Sequence, residues 1–143
     1  MKVLVSACLL GENCKYSGGN NLCPGLLKWL EEEGHEAVSV CPEVLGGLPV
    51  PRTPAEIVEG VVTTWDGEDV DRAFRRGAVL ALEIARREGA ELAVLQPRSP
   101  SCGVKQVYDG TFSGRKVPGR GVFAQLLAEN GVRLLEPEDL EGR

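Results

Sequence analysis

The sequence has little histidine, no basic excess and no long apolar run, and each shortage excludes a class of function. His35 is the only histidine, so a Cys–His zinc site and a Cys–His nucleophile are both disfavoured. The net charge of −5 argues against a general nucleic-acid-binding protein, since such proteins usually carry a basic excess. No stretch approaches the roughly 20 consecutive apolar residues of a membrane-spanning helix, so we expect no membrane partner.

Nucleotide-binding signatures are also missing. Nothing in the chain matches GxxxxGK[ST], and no GxGxxG follows a predicted strand. The opening residues MKVLVSACLLG contain a short apolar run that stops at Gly11, which is typical of a buried first strand rather than of a signal peptide. We therefore expect a cytoplasmic protein.

Strands and helices alternate along the chain. The length of 143 residues fits one domain, residues 1–143, and the alternation predicts a Rossmann-like α/β fold. We expect a single compact domain with a mostly parallel sheet of about four to five strands and helices on both faces. The predicted strands are Val3–Val5, Ala37–Val40, Glu91–Leu95 and Val132–Leu135. The predicted helices open at Pro24, at Asp66–Asp69 and at Val122.

The remaining segments are predicted to be mostly irregular. Cys41–Pro54 is rich in Pro and Gly, and we interpret it as a loop without regular structure. Ile57–Val58 and Val61–Thr64 flank Gly60 and predict a small hairpin. Residues 96 to 118 are interpreted as one long loop.

Three of the five cysteines follow predicted strands: Cys8, Cys41 and Cys102. Because ligands bind at the carboxyl ends of parallel strands, we expect these thiols to converge on one edge of the sheet. Three thiolates with an open position suit a [4Fe–4S] cluster and also suit zinc. The chain has no CxxC pair to decide between them, and sulfur transfer by free thiols stays open as well. Cys14 and Cys23 are less fixed: they are candidates for an alternative ligand pair, a disulfide or filler.

Polar side chains stand beside each of these cysteines. Ser6 precedes Cys8, Glu43 follows Cys41, and Ser99 and Ser101 precede Cys102. A carboxylate there can relay a proton, and a hydroxyl can hydrogen-bond a substrate or a cluster sulfur.

Three separated motifs occur together in this chain: SACLLGENCKYSGGNN, CPEVLGGLPVPRTPAE and RSPSCGVKQVYDGTFSG. In this order they closely resemble the bacterial and archaeal family called domain of unknown function 523, whose characterised member is a thiouracil desulfurase. The resemblance covers essentially the whole chain. It implies a [4Fe–4S] cluster that Cys8, Cys41 and Cys102 hold, with one iron not ligated by protein.

The resemblance also implies an activity. A non-redox desulfuration of a small thiolated nucleobase, such as 2-thiouracil, would release sulfide and the oxo base. Glu43 and Ser101 are then the candidates for catalysis, and Ser6 and Ser99 the candidates for substrate binding. The alternative is a non-catalytic metal-binding, cluster-binding or redox-sensing module.

The chain departs from the family pattern at two positions. The family often has Lys where Gln96 stands, close to the predicted site, which bears on the choice of substrate. It often has Thr where Asp71 stands, which we interpret as a variant of a helix cap.

Overall fold

A parallel sheet forms the centre of the protein, in a computed structural model that describes residues 1–140. The strands are β1 (Lys2–Ser6), β2 (Glu36–Val40), β3 (Ala55–Val58), β4 (Val61–Thr64), β5 (Leu92–Val94), β6 (Gln106–Tyr108), β7 (Lys116–Pro118) and β8 (Arg133–Leu135). The helices are α1 (Pro24–Glu32), α2 (Pro42–Leu45), α3 (Asp71–Glu88) and α4 (Val122–Glu129), with 3₁₀ turns at Ala7–Leu10 and Pro137–Leu140.

The central sheet has four strands in the order β2-β1-β5-β8, and every pair is parallel. The chain passes from β1 to β2 on one side and then returns to place β5 on the other side of β1. The strand order therefore reverses between β1 and β5, which is where open α/β sheets bind ligands. The predicted fold class and the parallel sheet are confirmed.

Apolar side chains of β1 point alternately to the two faces of the sheet. Val3 and Val5 pack with Leu26 of α1, whereas Leu4 packs with Phe74 of α3 and with the buried face of α4. Helices thus cover both faces of the sheet at β1, as expected for a strand that is apolar from Val3 to Val5. None of the helices within residues 1–140 is long and apolar enough to cross a membrane.

Two predicted loops contain regular structure. The segment Cys41–Pro54 includes the single turn of α2 at Pro42–Leu45, and the long loop after β5 contains the antiparallel hairpin β6–β7. The predictions were wrong there because a one-turn helix and three-residue strands are too short to show a periodic pattern. The predicted β3–β4 hairpin is confirmed.

Asp71 does not act as the cap that the sequence indicated. It is the first residue of α3, and its Oδ1 accepts a hydrogen bond from the Val62 amide at 3.0 Å. The side chain therefore joins the start of α3 to β4.

Candidate active site

A cavity of about 620 Å³ lies at the carboxyl edge of the sheet, and Cys8, Cys41 and Cys102 all line it. Cys8 lies in the 3₁₀ turn after β1, Cys41 directly after β2, and Cys102 in the loop after β5. The structure brings the three thiols together, as the positions of the strand ends predicted.

The Cys8 thiol is buried, and the side-chain amide of Asn21 donates to its sulfur at 3.6 Å. Burial raises the pKa of the thiol, and the Asn21 hydrogen bond opposes this shift. An N–H group that points at a cysteine sulfur is typical of the surroundings of a metal-bound thiolate.

Cys102 is held deeper, with 4% of its surface exposed. Burial raises the pKa of its thiol to about 12, and the neighbouring Ser6 and Ser101 hydroxyls offset this only in part. A thiol in such surroundings is protonated at neutral pH. A bound metal would change this, because coordination deprotonates a thiol ligand.

The start of α4 fixes the loop that carries Cys102. The amides of Phe123 and Ala124 both donate to the Ser101 carbonyl oxygen, at 2.9 and 3.0 Å. Such amides at a helix start have no partner within the helix, so the loop supplies it. Gly121 permits this approach, since a Cβ there would lie 2.5 Å from the Ser101 carbonyl.

A close contact between α2 and α3 positions Cys41 and Glu43. A Cβ on Gly77 of α3 would lie 1.8 Å from the Pro42 carbonyl oxygen, and one on Gly46 would lie 2.0 Å from that of Ala73. Only glycine allows these backbones to approach so closely. The one-turn α2 is therefore stabilised by packing on α3 rather than by its own length.

The donor set fits an iron–sulfur cluster. The three thiols line the walls of one cavity at separate strand ends. A cubane cluster suits such a placement because each thiolate binds a different iron. These residues would hold the cluster, and their role as ligands stays a prediction.

A fourth thiol, Cys14, also lines the cavity. Burial raises the pKa of Cys14 to about 12, and the adjacent Cys41 adds to the shift. Cys23 lies outside the cavity and packs against the core beside α1. All five cysteines are free thiols, so the structure contains no Cys14–Cys23 disulfide.

The side chains of Glu43, Ser101 and Ser99 form a hydrogen-bonded chain on the cavity wall. The Ser101 hydroxyl donates to Glu43 Oε2 at 2.7 Å, and Ser99 Oγ lies 2.9 Å from Ser101 Oγ. Ser99 Oγ also accepts hydrogen bonds from the amides of Ser101 and Cys102, at 3.1 and 3.0 Å. The two predicted catalytic residues are therefore in direct contact, and Ser99 orders the loop that presents them.

Arg52 completes this chain and was not singled out from the sequence. Its Nε and Nη2 both lie 3.0 Å from Glu43 Oε1, and Nη2 also donates to the Cys14 carbonyl oxygen at 2.9 Å. Only 8% of the Arg52 side chain and 15% of the Glu43 side chain are exposed. Arg52 stands in the PVPRTP stretch of the second motif, so an Arg among prolines was the available signal.

Ser6 and Gln96 meet where the strand order reverses. The backbone amide of Gln96 donates to the Ser6 hydroxyl at 2.9 Å, and this bond joins the ends of β5 and β1. Both residues line the cavity, although only 2% of Ser6 is exposed. His35 packs against Trp29 instead and does not line the cavity.

Comparison with known proteins gives a consistent result. The 2-thiouracil desulfurase family matches residues 3–139. An uncharacterised Bacillus subtilis (strain 168) protein, YbbK, is 39% identical over 148 aligned positions, which cover 96% of this chain and 97% of YbbK. A solved structure of the [4Fe–4S]-dependent thiouracil desulfidase TudS is similar with a TM-score of 0.90 and 41% identity, covering 97% of this chain and 92% of that one.

Proposed function

Because the chain belongs to the 2-thiouracil desulfurase family, we propose that it hydrolyses the carbon–sulfur double bond of a small thiolated nucleobase such as 2-thiouracil. Water replaces sulfur at the carbon, and the products are sulfide and the oxo base, with no net oxidation or reduction. The observation that carries this proposal is the Glu43–Ser101 hydrogen bond in the cavity that Cys8, Cys41 and Cys102 line.

Cys8, Cys41 and Cys102 are the residues that would hold the [4Fe–4S] cluster. When bound, the cluster supplies an iron that protein does not ligate, a Lewis acid to which soft sulfur donors bind readily. The same family includes a protein whose name records its dependence on this cluster.

Glu43 and Ser101 handle the proton of the attacking water in this proposal. The Ser101 hydroxyl, which donates to Glu43 Oε2 at 2.7 Å, takes the proton of the attacking water as it gives its own proton to Glu43 Oε2. Glu43 then returns a proton to the departing sulfide. Arg52 holds Glu43 Oε1 from the other side, so the carboxylate keeps one orientation. The Ser6 and Ser99 hydroxyls accept hydrogen bonds from backbone amides of the cavity wall. We assign them an indirect role in substrate binding, in which they order that wall.

Gln96 lines the cavity at the position where the family often has Lys. A neutral amide both donates and accepts hydrogen bonds, whereas an ammonium group only donates. We therefore propose that Gln96 contributes to the choice among thiolated bases. A cytoplasmic location remains part of the proposal.

The test is turnover under anaerobic conditions. Protein reconstituted with iron and sulfide is incubated with 2-thiouracil in ¹⁸O-labelled water, without a reductant. We expect sulfide and uracil in equal amounts, with one ¹⁸O atom in each uracil. A cluster-loaded protein that releases no sulfide from any thiolated base contradicts the proposal and leaves the non-catalytic cluster-binding module.

A further inference from the structure

Aromatic side chains are scarce in this chain but concentrated at the cavity. The chain has two Trp, two Tyr and three Phe, and four of these seven line the cavity: Tyr16, Trp65, Tyr108 and Phe112. Aromatic faces stack on planar heteroaromatic rings in a way that tolerates many ring substituents. The lining therefore suits a ligand with a flat ring.

Phe112 is the aromatic residue whose backbone is most constrained. It lies in the turn of the β6–β7 hairpin with a φ of 56°, a left-handed conformation that is uncommon for a bulky side chain. Such conformations persist only where the surroundings impose them, and they cluster at functional sites. Tyr16 and Trp65 differ, since they are 51% and 69% exposed and so lie at the mouth of the cavity.

Glu56 of β3 imposes this conformation. Its Oε1 accepts hydrogen bonds from the Gly110 amide at 3.0 Å and from the Phe112 amide at 3.1 Å. One carboxylate oxygen on one hairpin thus holds the turn of the other hairpin against the cavity. Hydrogen bonds from amides to a charged oxygen are stronger than those between neutral groups.

We propose that Phe112 stacks on the ring of the substrate and that Glu56 is its positioning residue. This inference rests on the proposed function and specifies the substrate class as planar, aromatic thiones. The two residues select by ring planarity, and we assign them no part in the chemistry of Glu43, Ser101 and the cysteines.

The experiment compares two substrates on the reconstituted holoenzyme. 2-Thiouracil is planar, whereas 5,6-dihydro-2-thiouracil keeps the thiocarbonyl and the ring N–H groups but has a puckered ring. For Phe112→Leu we expect KM for 2-thiouracil to rise about tenfold, the lower part of the range for loss of one stacking contact, with kcat retained because the contact is uniform binding. The preference for the planar substrate should fall by a similar factor.

Matched variants separate stacking from general damage. Phe112→Tyr keeps the ring and should stay within about twofold of the unaltered enzyme. Glu56→Ala should raise KM as Phe112→Leu does, and the double variant should resemble either single one, because Glu56 acts through Phe112. Iron and sulfide content should be the same in all variants.

Several results would overturn the inference. An unchanged KM in Phe112→Leu would show that Phe112 does not stack on the substrate. An equal rise in KM for both substrates would show that the enzyme does not select for ring planarity. Additive effects of Glu56→Ala and Phe112→Leu remove the positioning role. If the unaltered holoenzyme releases no sulfide from either substrate or from any other thiolated base, the proposed function fails and this inference fails with it.

Discussion

The body of the protein and the rim of its cavity differ in what they bury: the body buries apolar side chains, and the rim also buries charged and hydroxyl groups. The body is the four-stranded sheet with α1, α3 and α4, and the rim is the set of segments 41–58 and 96–121 at the carboxyl edge. Val3, Leu4, Val5 and Val94 in the body are fully buried. In the rim, the well-covered side chains include the charged pair Arg52–Glu43 and the hydroxyl of Ser101.

The two regions should therefore respond differently to substitution. Burial of apolar surface is non-directional, so losses in the body depend on the volume removed. The rim depends on partners: within residues 1–140, no buried side-chain nitrogen or oxygen lacks a hydrogen bond. Removal of one member there leaves another unpaired, which costs more than the bond itself contributed.

The sharpest test of the rim is Glu43→Gln. The amide cannot accept the proton from water, so we expect kcat to fall about 100- to 10,000-fold, the usual contribution of a positioned general base. Iron content should stay unchanged. Glu138→Gln is the control, since 65% of that side chain is exposed and it does not line the cavity. Equal kcat in both variants would show that Glu43 is not the general base.

The body is tested with Leu127→Ala in α4. This side chain is fully buried in the core, and its truncation should lower the free energy of unfolding by about 2–5 kcal/mol, measured with urea. The kcat of the folded, cluster-loaded fraction should be unchanged. Val79→Ala, at a position 48% exposed on α3, should change stability by less than about 0.5 kcal/mol. A matching loss in both would contradict the description of the core.

Arg52→Met tests whether the rim depends on partners. The variant removes the donor of Glu43 Oε1 and the Arg52 hydrogen bond to the Cys14 carbonyl, and we expect a loss of about 1–3 kcal/mol in the free energy of unfolding. Arg52→Lys should retain only part of the stability that Arg52→Met loses, because an ammonium group cannot reproduce the forked contacts of a guanidinium.

The control for Arg52 is Lys105, which belongs to an exposed group of ion pairs. Lys105 contacts Glu138 and Asp139, each at 2.8 Å, but 46% of its side chain is exposed. Lys105→Met should therefore give no measurable change in stability, since exposed ion pairs contribute little. If both variants lose stability equally, the contrast between buried and exposed pairs is wrong for this protein.

The body could be predicted from the sequence because its signals are local. The spacing of apolar residues from Val70 to Ala85 indicated α3, and Gly89 indicated its end, where the structure has a left-handed glycine. The apolar runs of the strands, and their alternation with helices, were enough to place Cys8, Cys41 and Cys102 at one edge. The proposal that they hold a [4Fe–4S] cluster rests on the family resemblance.

The rim could not be predicted in the same way, because tertiary contacts decide its structure. Arg52 and Ser101 are far apart in the sequence and meet only through Glu43. The need for glycine at positions 46 and 77 comes from the close packing of α2 on α3, which the sequence does not reveal. The Glu56 contact with the β6–β7 hairpin spans more than fifty residues and leaves no periodic signal.

The central claim is that three strand-end cysteines hold a [4Fe–4S] cluster while the neighbouring thiols do not. Iron and acid-labile sulfide are measured in anaerobically reconstituted protein and in the five single Cys→Ser variants. We expect about four irons per chain, the content of one cubane cluster, in the unaltered protein, in Cys14→Ser and in Cys23→Ser. The iron content should be strongly reduced in Cys8→Ser, Cys41→Ser and Cys102→Ser. Full iron content in any of these last three, or its loss in Cys14→Ser or Cys23→Ser, would contradict the account.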